Sequence, residues 1–331
     1  MRDYDLEIEN TIKFRIMNNS EIYDFRDTPF EELISQYYEF CKEDLDTQSR
    51  HVNISPNVFI FNNYLTSNAV AKRLDNAYSI TINLGLLKRC NDNFLQNEKL
   101  DEYLDFHYGD ILGSLDNKIS RLGYQIATSF TYYHELAHLF QFEKKNENLE
   151  LFENSSTSSQ YSLIKHYLEI NADSFATIVL TSHISQYLEK SYGDILNQEI
   201  IENIFKILGA CLLNHIVNFY DDISSIYLRE HSHPHPYLRI LNSIINLSHY
   251  LNQSEIFYEK NIIIDSNKLT NDIIEFYEEL ESKNIFESNF RIAMTNASDQ
   301  LQEIIEYLGQ LVEYNLSDYN NALEVWNRQF T

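Results

Sequence analysis

Glycine, proline and cysteine are all scarce in this chain. Seven glycines and four prolines among 331 residues suit long packed helices with few tight turns. The three cysteines, Cys41, Cys90 and Cys211, are odd in number and widely spaced, so neither a disulfide framework nor a cysteine zinc cluster is indicated, and a reducing compartment fits best. Long apolar runs are missing too. The longest, Ile207 to Val217, is broken by Asn214 and His215 and falls short of the roughly 20 residues a membrane helix needs. The amino-terminal Met1-Arg2-Asp3-Tyr4-Asp5 lacks the apolar stretch of a signal peptide. A soluble cytoplasmic protein is the expectation.

Basic residues are outnumbered, 25 against 50 acidic, for a formal charge of −25. Such a surface repels phosphate backbones and anionic headgroups, so neither a nucleic acid nor a membrane is expected as a partner. A basic protein substrate would be favoured on encounter, although the excess acid has the plainer role of keeping the surface soluble. Aromatic residues, by contrast, are plentiful, with 24 Tyr and 20 Phe. The length allows a full core in one large domain or two smaller ones.

Along the chain, Thr28-Pro29-Phe30-Glu31 has capping-box spacing with Pro at the first helical position, predicting a helix to about Leu45. The β-branched and aromatic segments 57–61 and 78–83 predict strands of a small sheet. A helix is predicted from Leu122 to about Lys144, with Ile126, Phe130, His134, Ala137 and Gln141 on one stripe and Gly123 as its sole interruption. A polar stretch at 153–160 reads as a loop. Further helices are predicted over about 161–190, 198–229, from 238 onward, and around 304–312. The fold class expected is mainly α (α+β). Its parts would be an α+β region at 1–120 carrying the sheet, a helical catalytic core at 121–250 and a helical region at 251–331.

Chemistry concentrates in His134-Glu135-Leu136-Ala137-His138. On a helix His134 and His138 are i and i+4 neighbours able to share a zinc ion, while Glu135 projects beside them, where it can take a proton from the attacking water. A catalytic zinc site takes three protein ligands and keeps a fourth place open, so a third ligand is needed. Glu169, 31 residues beyond His138, is the best candidate. Asp173 shares its face at i+4 and could orient a ligand histidine through its second ring nitrogen. A third segment runs from His231 to Ile240 and holds His231, His233, His235 and Arg239. A histidine and an arginine there could donate to the oxyanion formed at a scissile carbonyl. Three alternating histidines could instead form a separate metal site, but Pro234 and Pro236 favour a threefold period that does not align them. The strand-like segment at 78–83 suggests that substrate binds extended along a sheet edge.

The order HExxH, ExxAD, HPxxxxRI resembles the soluble relatives of the zinc peptidases that include the CAAX-processing and HtpX-type enzymes. It resembles most closely the Lit-type phage-exclusion proteases, peptidase family U49. The matching segments are Tyr133 to His138, Glu169 to Thr177 and His233 to Ile240, within about 120 residues of mid-chain. His235-Pro236 departs from relatives that carry small or acidic residues there. The resemblance implies a zincin-like core of gluzincin type, with zinc on His134, His138 and Glu169, Glu135 as base, Asp173 behind the ligands, and His233 with Arg239 at the transition state. It also implies an anti-phage protease that cleaves a protein, by analogy a translation factor, after a phage-derived trigger. Because an unregulated cytoplasmic protease would be harmful, a latent state gated by a loop over 144–160 or by the C-terminal helices is also expected. The alternative is a zinc-stabilised regulatory or binding module that cuts no bond.

Overall fold

The computed structural model describes residues 4–144, 161–220 and 223–313. The polar stretch predicted as a loop at 153–160 lies outside them, as does most of the 144–160 segment proposed as a gate. The elements are α1 (Tyr4–Lys13), α2 (Glu31–Gln48), β1 (Asn57–Asn62), β2 (Ala69–Leu74), β3 (Ala77–Asn83), α3 (Leu84–Cys90), α4 (Glu98–Leu112) and α5 (Ile119–Lys144). They continue with α6 (Leu163–Tyr192), α7 (Gln198–Val217), α8 (Pro236–Leu251), α9 (Glu255–Glu259), α10 (Ser266–Ser282), α11 (Phe290–Asp299) and α12 (Leu301–Glu313). The class is mainly α with one small mixed sheet. Among the described residues two compact units are formed, one from residues 4–89, 131–144 and 311–313, the other from 90–130, 161–220 and 223–310.

In the first unit the sheet order is β1-β3-β2, with β1 parallel and β2 antiparallel to β3. Phe59 and Phe61 on β1 share a face with Ile80 and Ile82 on β3, because facing residues in register project to the same side. That face is covered by aromatic rings: Tyr37 lies 5.9 Å from Phe59 by ring centroids, and Tyr132 on α5 lies 5.8 Å from it. The Tyr132 hydroxyl donates to Asp44 on α2 at 2.8 Å. The helix bearing the HExxH motif is thus seated on the sheet directly beside the motif. A buried charge group ties α1 and α2 to β1. Glu7 accepts from the Phe59 N–H at 3.1 Å and pairs with Lys42 Nζ at 2.9 Å.

Three sequence expectations change here. Strand β2 was not foreseen, since Ala69-Val70-Ala71-Lys72-Arg73-Leu74 has weak β propensity; pairing with β3 through a two-residue turn at 75–76 makes it a strand. The 78–83 segment is the central strand, hydrogen-bonded on both sides, so it has no edge to offer a peptide. Helix α2 begins at Glu31 with Phe30 in the cap position. The Thr28 hydroxyl donates to the Phe25 carbonyl at 2.6 Å instead, and the Glu31 carboxylate accepts from Asp27 N–H at 3.1 Å.

The second unit is helical. Helix α7 is long and apolar enough to cross a membrane by length and composition, and it is mostly buried, packed on α8 and α10. It ends at Val217, short of the expected 229, where the Asn218 side chain adds a second bond to the Asn214 carbonyl at 2.8 Å. Helix α6 carries buried hydroxyls that satisfy themselves one turn back: Thr177 to the Asp173 carbonyl, Thr181 to that of Thr177, and Ser185 to that of Thr181, at 2.7 to 2.8 Å. Asn242 on α8 donates to the Ile170 carbonyl and the Ser174 hydroxyl, fixing α8 against α6. Gly123 has a packing reason, since a Cβ there would meet the Phe94 ring at 2.7 Å.

Candidate active site

Helix α5 presents its two motif histidines as the spacing requires. His134 and His138 are 5% and 3% exposed, and their Nε2 atoms stand 3.1 Å apart with the rings nearly perpendicular. Two nitrogens held tetrahedrally by one zinc ion would be about 3.3 Å apart for Zn–N distances of about 2.05 Å. The Nδ1 of His138 lies 2.8 Å from Gln141 Oε1. An amide oxygen can only accept, so Nδ1 carries the proton and the Nε2 lone pair is left for a metal. Gln141 therefore fixes the tautomer of His138 from i+3 on the same helix. The sequence placed Gln141 on the stripe without assigning it this part.

One ligand atom from each of His134, His138 and Glu169 lies within 4.8 Å of the others, and all three residues are buried. Two imidazoles and a carboxylate are the donor set of catalytic zinc, and a three-ligand set leaves one position for a reactant. The residues therefore fit the ion. Glu135, 3% exposed, sits on the same helix between the two histidines.

Around Glu169 the second unit supplies a buried cation. Arg239, in the first turns of α8, donates from Nε and Nη2 to the two carboxylate oxygens of Asp173, each at 2.7 Å, and from Nη1 to the Tyr220 hydroxyl at 3.1 Å. Its Nη2 is 4.0 Å from Glu169 Oε2. Burial opposes the guanidinium charge, yet the Asp173 carboxylate and the Tyr220 oxygen hold its pKa well above the ordinary value. Burial likewise raises the Tyr220 phenol, with the Arg239 charge opposing it. Sequence reading placed Asp173 and Arg239 in separate tasks. Here they form one bidentate pair, because α8 lies against the face of α6 that carries Asp173. Tyr220, the third member, had no sequence signal beyond being a tyrosine after a helix end.

The three histidines of the HSHPHP stretch separate clearly. His235 is fully buried at the N-cap of α8, where its Nδ1 accepts from the Tyr237 N–H at 3.0 Å and Pro236 takes the first helical position. His233 is partly exposed, with Nδ1 3.0 Å from the Ser232 hydroxyl. His231 is exposed, its ring 4.1 Å by centroid from that of Tyr227, and its carbonyl is bonded to His166. The prolines hold the extended entry expected of them.

No curated protein and no solved structure is matched by the chain. A protein-family model, Peptidase U49, matches residues 117–259. That span runs from just before α5 to the end of α9 and holds all three motifs together with Gln141 and Tyr220. Over this region, which is less than half of the chain, the sequence is similar to the U49 peptidases.

Proposed function

We propose that this protein is a zinc-dependent endopeptidase acting on a protein substrate. The observation that carries the proposal is the convergence of His134, His138 and Glu169 within 4.8 Å, three buried groups from two helices with the donor chemistry of a catalytic zinc site. Zinc held there would polarise the scissile carbonyl and acidify the attacking water. Glu135 takes the proton of that water and delivers it to the leaving amine. His233, with a ring nitrogen to donate, is assigned to the oxyanion. Arg239 acts differently from the sequence expectation. Three of its N–H groups are engaged by Asp173 and Tyr220, so it serves the site by placing a positive charge beside Glu169 and orienting that carboxylate.

A retained Glu135 favours an enzyme over a zinc-stabilised module, because a structural ion needs no base. Resemblance to the phage-exclusion proteases supports a latent defence role with a viral trigger and a target in the translation machinery. The test is Glu135→Gln. Parent and variant are expressed in cells with and without phage, and cleaved proteins are compared by N-terminal peptide analysis. The variant is expected to bind zinc as the parent does and to lose about 10²- to 10⁴-fold in cleavage. Cleavage at the parent rate would refute the assignment of Glu135.

A further inference from the structure

The second unit contains another buried polar cluster, one turn before Glu169 on α6. His166 is fully buried, with Nε2 2.9 Å from the His231 carbonyl and Nδ1 2.7 Å from the Tyr307 hydroxyl. The carbonyl can only accept, so Nε2 carries a proton, while the Tyr307 phenol can either donate to Nδ1 or accept from it. The ring is bonded to two distant segments of the chain, and in its neutral form Nδ1 accepts from Tyr307. Burial holds its pKa below the ordinary histidine value, in agreement with that geometry.

The same two segments are joined a second time. The Arg229 guanidinium stands 4.9 Å from the centre of the Tyr307 ring, and its Nη2 donates to Gln310 Oε1 at 2.9 Å. Both contacts end on α12. Residues 223–235 form no helix or strand, so side-chain bonds decide their conformation. Within the stretch, Glu230 accepts from the N–H groups of Leu228 and Arg229 at 2.8 and 2.7 Å. His235 caps α8 at the far end. Between these anchors only the His166 bond to the His231 carbonyl holds the backbone immediately before His233, among the hydrogen bonds described.

We propose that His166 and Tyr307 are positioning residues for the 229–235 loop, and that helix α12, through them, sets where His233 stands. The last step rests on the role proposed above for His233. Neither residue touches the reacting groups; Tyr307 orders His166, and His166 orders the loop.

The test is amide hydrogen exchange on the full zinc-loaded chain. Tyr307→Phe keeps the ring and its contact with Arg229 but removes the donor to Nδ1. Exchange at 229–235 is expected to speed up about tenfold, together with that of α12, from the loss of one buried hydrogen bond. Arg229→Gln, at an exposed position that leaves the core intact, should give a smaller acceleration in the same two segments. Loop protection equal to the parent's in both variants, or faster exchange confined to 301–313, would overturn the proposal. The readout needs no substrate, so it separates from the role of His233. Undiminished cleavage by His233→Ala would overturn the final step alone.

Discussion

Asp173 and Arg239 offer the sharpest test of how the site is held together. They are 0% and 7% exposed and are joined by two N–H···O bonds of 2.7 Å. Asp173→Leu leaves a guanidinium buried without its counter-charge, and Arg239→Met leaves a carboxylate in the same position. Each single substitution should cost about 3–5 kcal/mol, the range for breaking a buried pair from one side. Two charge-assisted bonds at about 1.5–3 kcal/mol each give a similar figure. If the effects added, Asp173→Leu/Arg239→Met would lose about 6–10 kcal/mol, as much as the whole stability of many proteins at about 5–15 kcal/mol. The pair should not add, because the double variant removes both members of the bidentate pair and leaves only the Glu169 carboxylate, 4.0 Å away, without the guanidinium charge. Its stability should lie within about 1–2 kcal/mol of the parent. Thermal unfolding of zinc-free protein at neutral pH, followed by circular dichroism, is the assay. Each single variant should lower Tm by roughly 6–20 °C, taking about 2–4 °C per kcal/mol, and the double variant by a few degrees. The double variant should nevertheless bind zinc about 10- to 100-fold more weakly, since Glu169 loses the cation 4.0 Å away. A double variant as unstable as the two singles combined would refute this account of the pair.

Gln141→Ala should weaken zinc binding about 10- to 100-fold with little change in folding, measured by competition with a chelator; unchanged affinity would remove Gln141 as the group that orients His138. Lys42→Met strands the buried Glu7 carboxylate, so the urea midpoint should fall by the equivalent of about 3–5 kcal/mol, and adding Glu7→Gln should recover most of it. Burial raises the Glu7 carboxyl above its ordinary range, with Lys42 opposing. The folded state therefore keeps that proton longer than the unfolded state, and stability falls as pH rises above about 4.3, a slope that Glu7→Gln should abolish. A pH profile of stability unchanged by that substitution would contradict the sign.

The HExxH helix, the two flanking motifs and the mainly helical class were legible in the sequence for physical reasons. Helical spacing places His134 over His138 whatever surrounds them, and a long stretch poor in Gly and Pro, from Ile119 to Lys144, has no cause to break. Strands β1 and β3 declared themselves by β-branched and aromatic residues. Strand β2 did not, since its alanines and cations become a strand only when β3 is there to pair with. The same limit explains the misplaced sheet edge: strand order is a relation among three segments, and no one of them carries it.

The amino-acid sequence by itself determined the kinds of chemical groups and their local spacing: two imidazoles one turn apart, a carboxylate beside them, an ExxAD segment, and prolines opening the helix that carries Arg239. Tertiary structure decided the pairings. Glu169 joins the two histidines, Asp173 takes Arg239, Gln141 serves His138, His235 is a buried cap, and Tyr307 reaches His166 from 141 residues away. The reason is that bonds between side chains far apart in sequence depend on which helix faces meet, and packing of the whole core sets that.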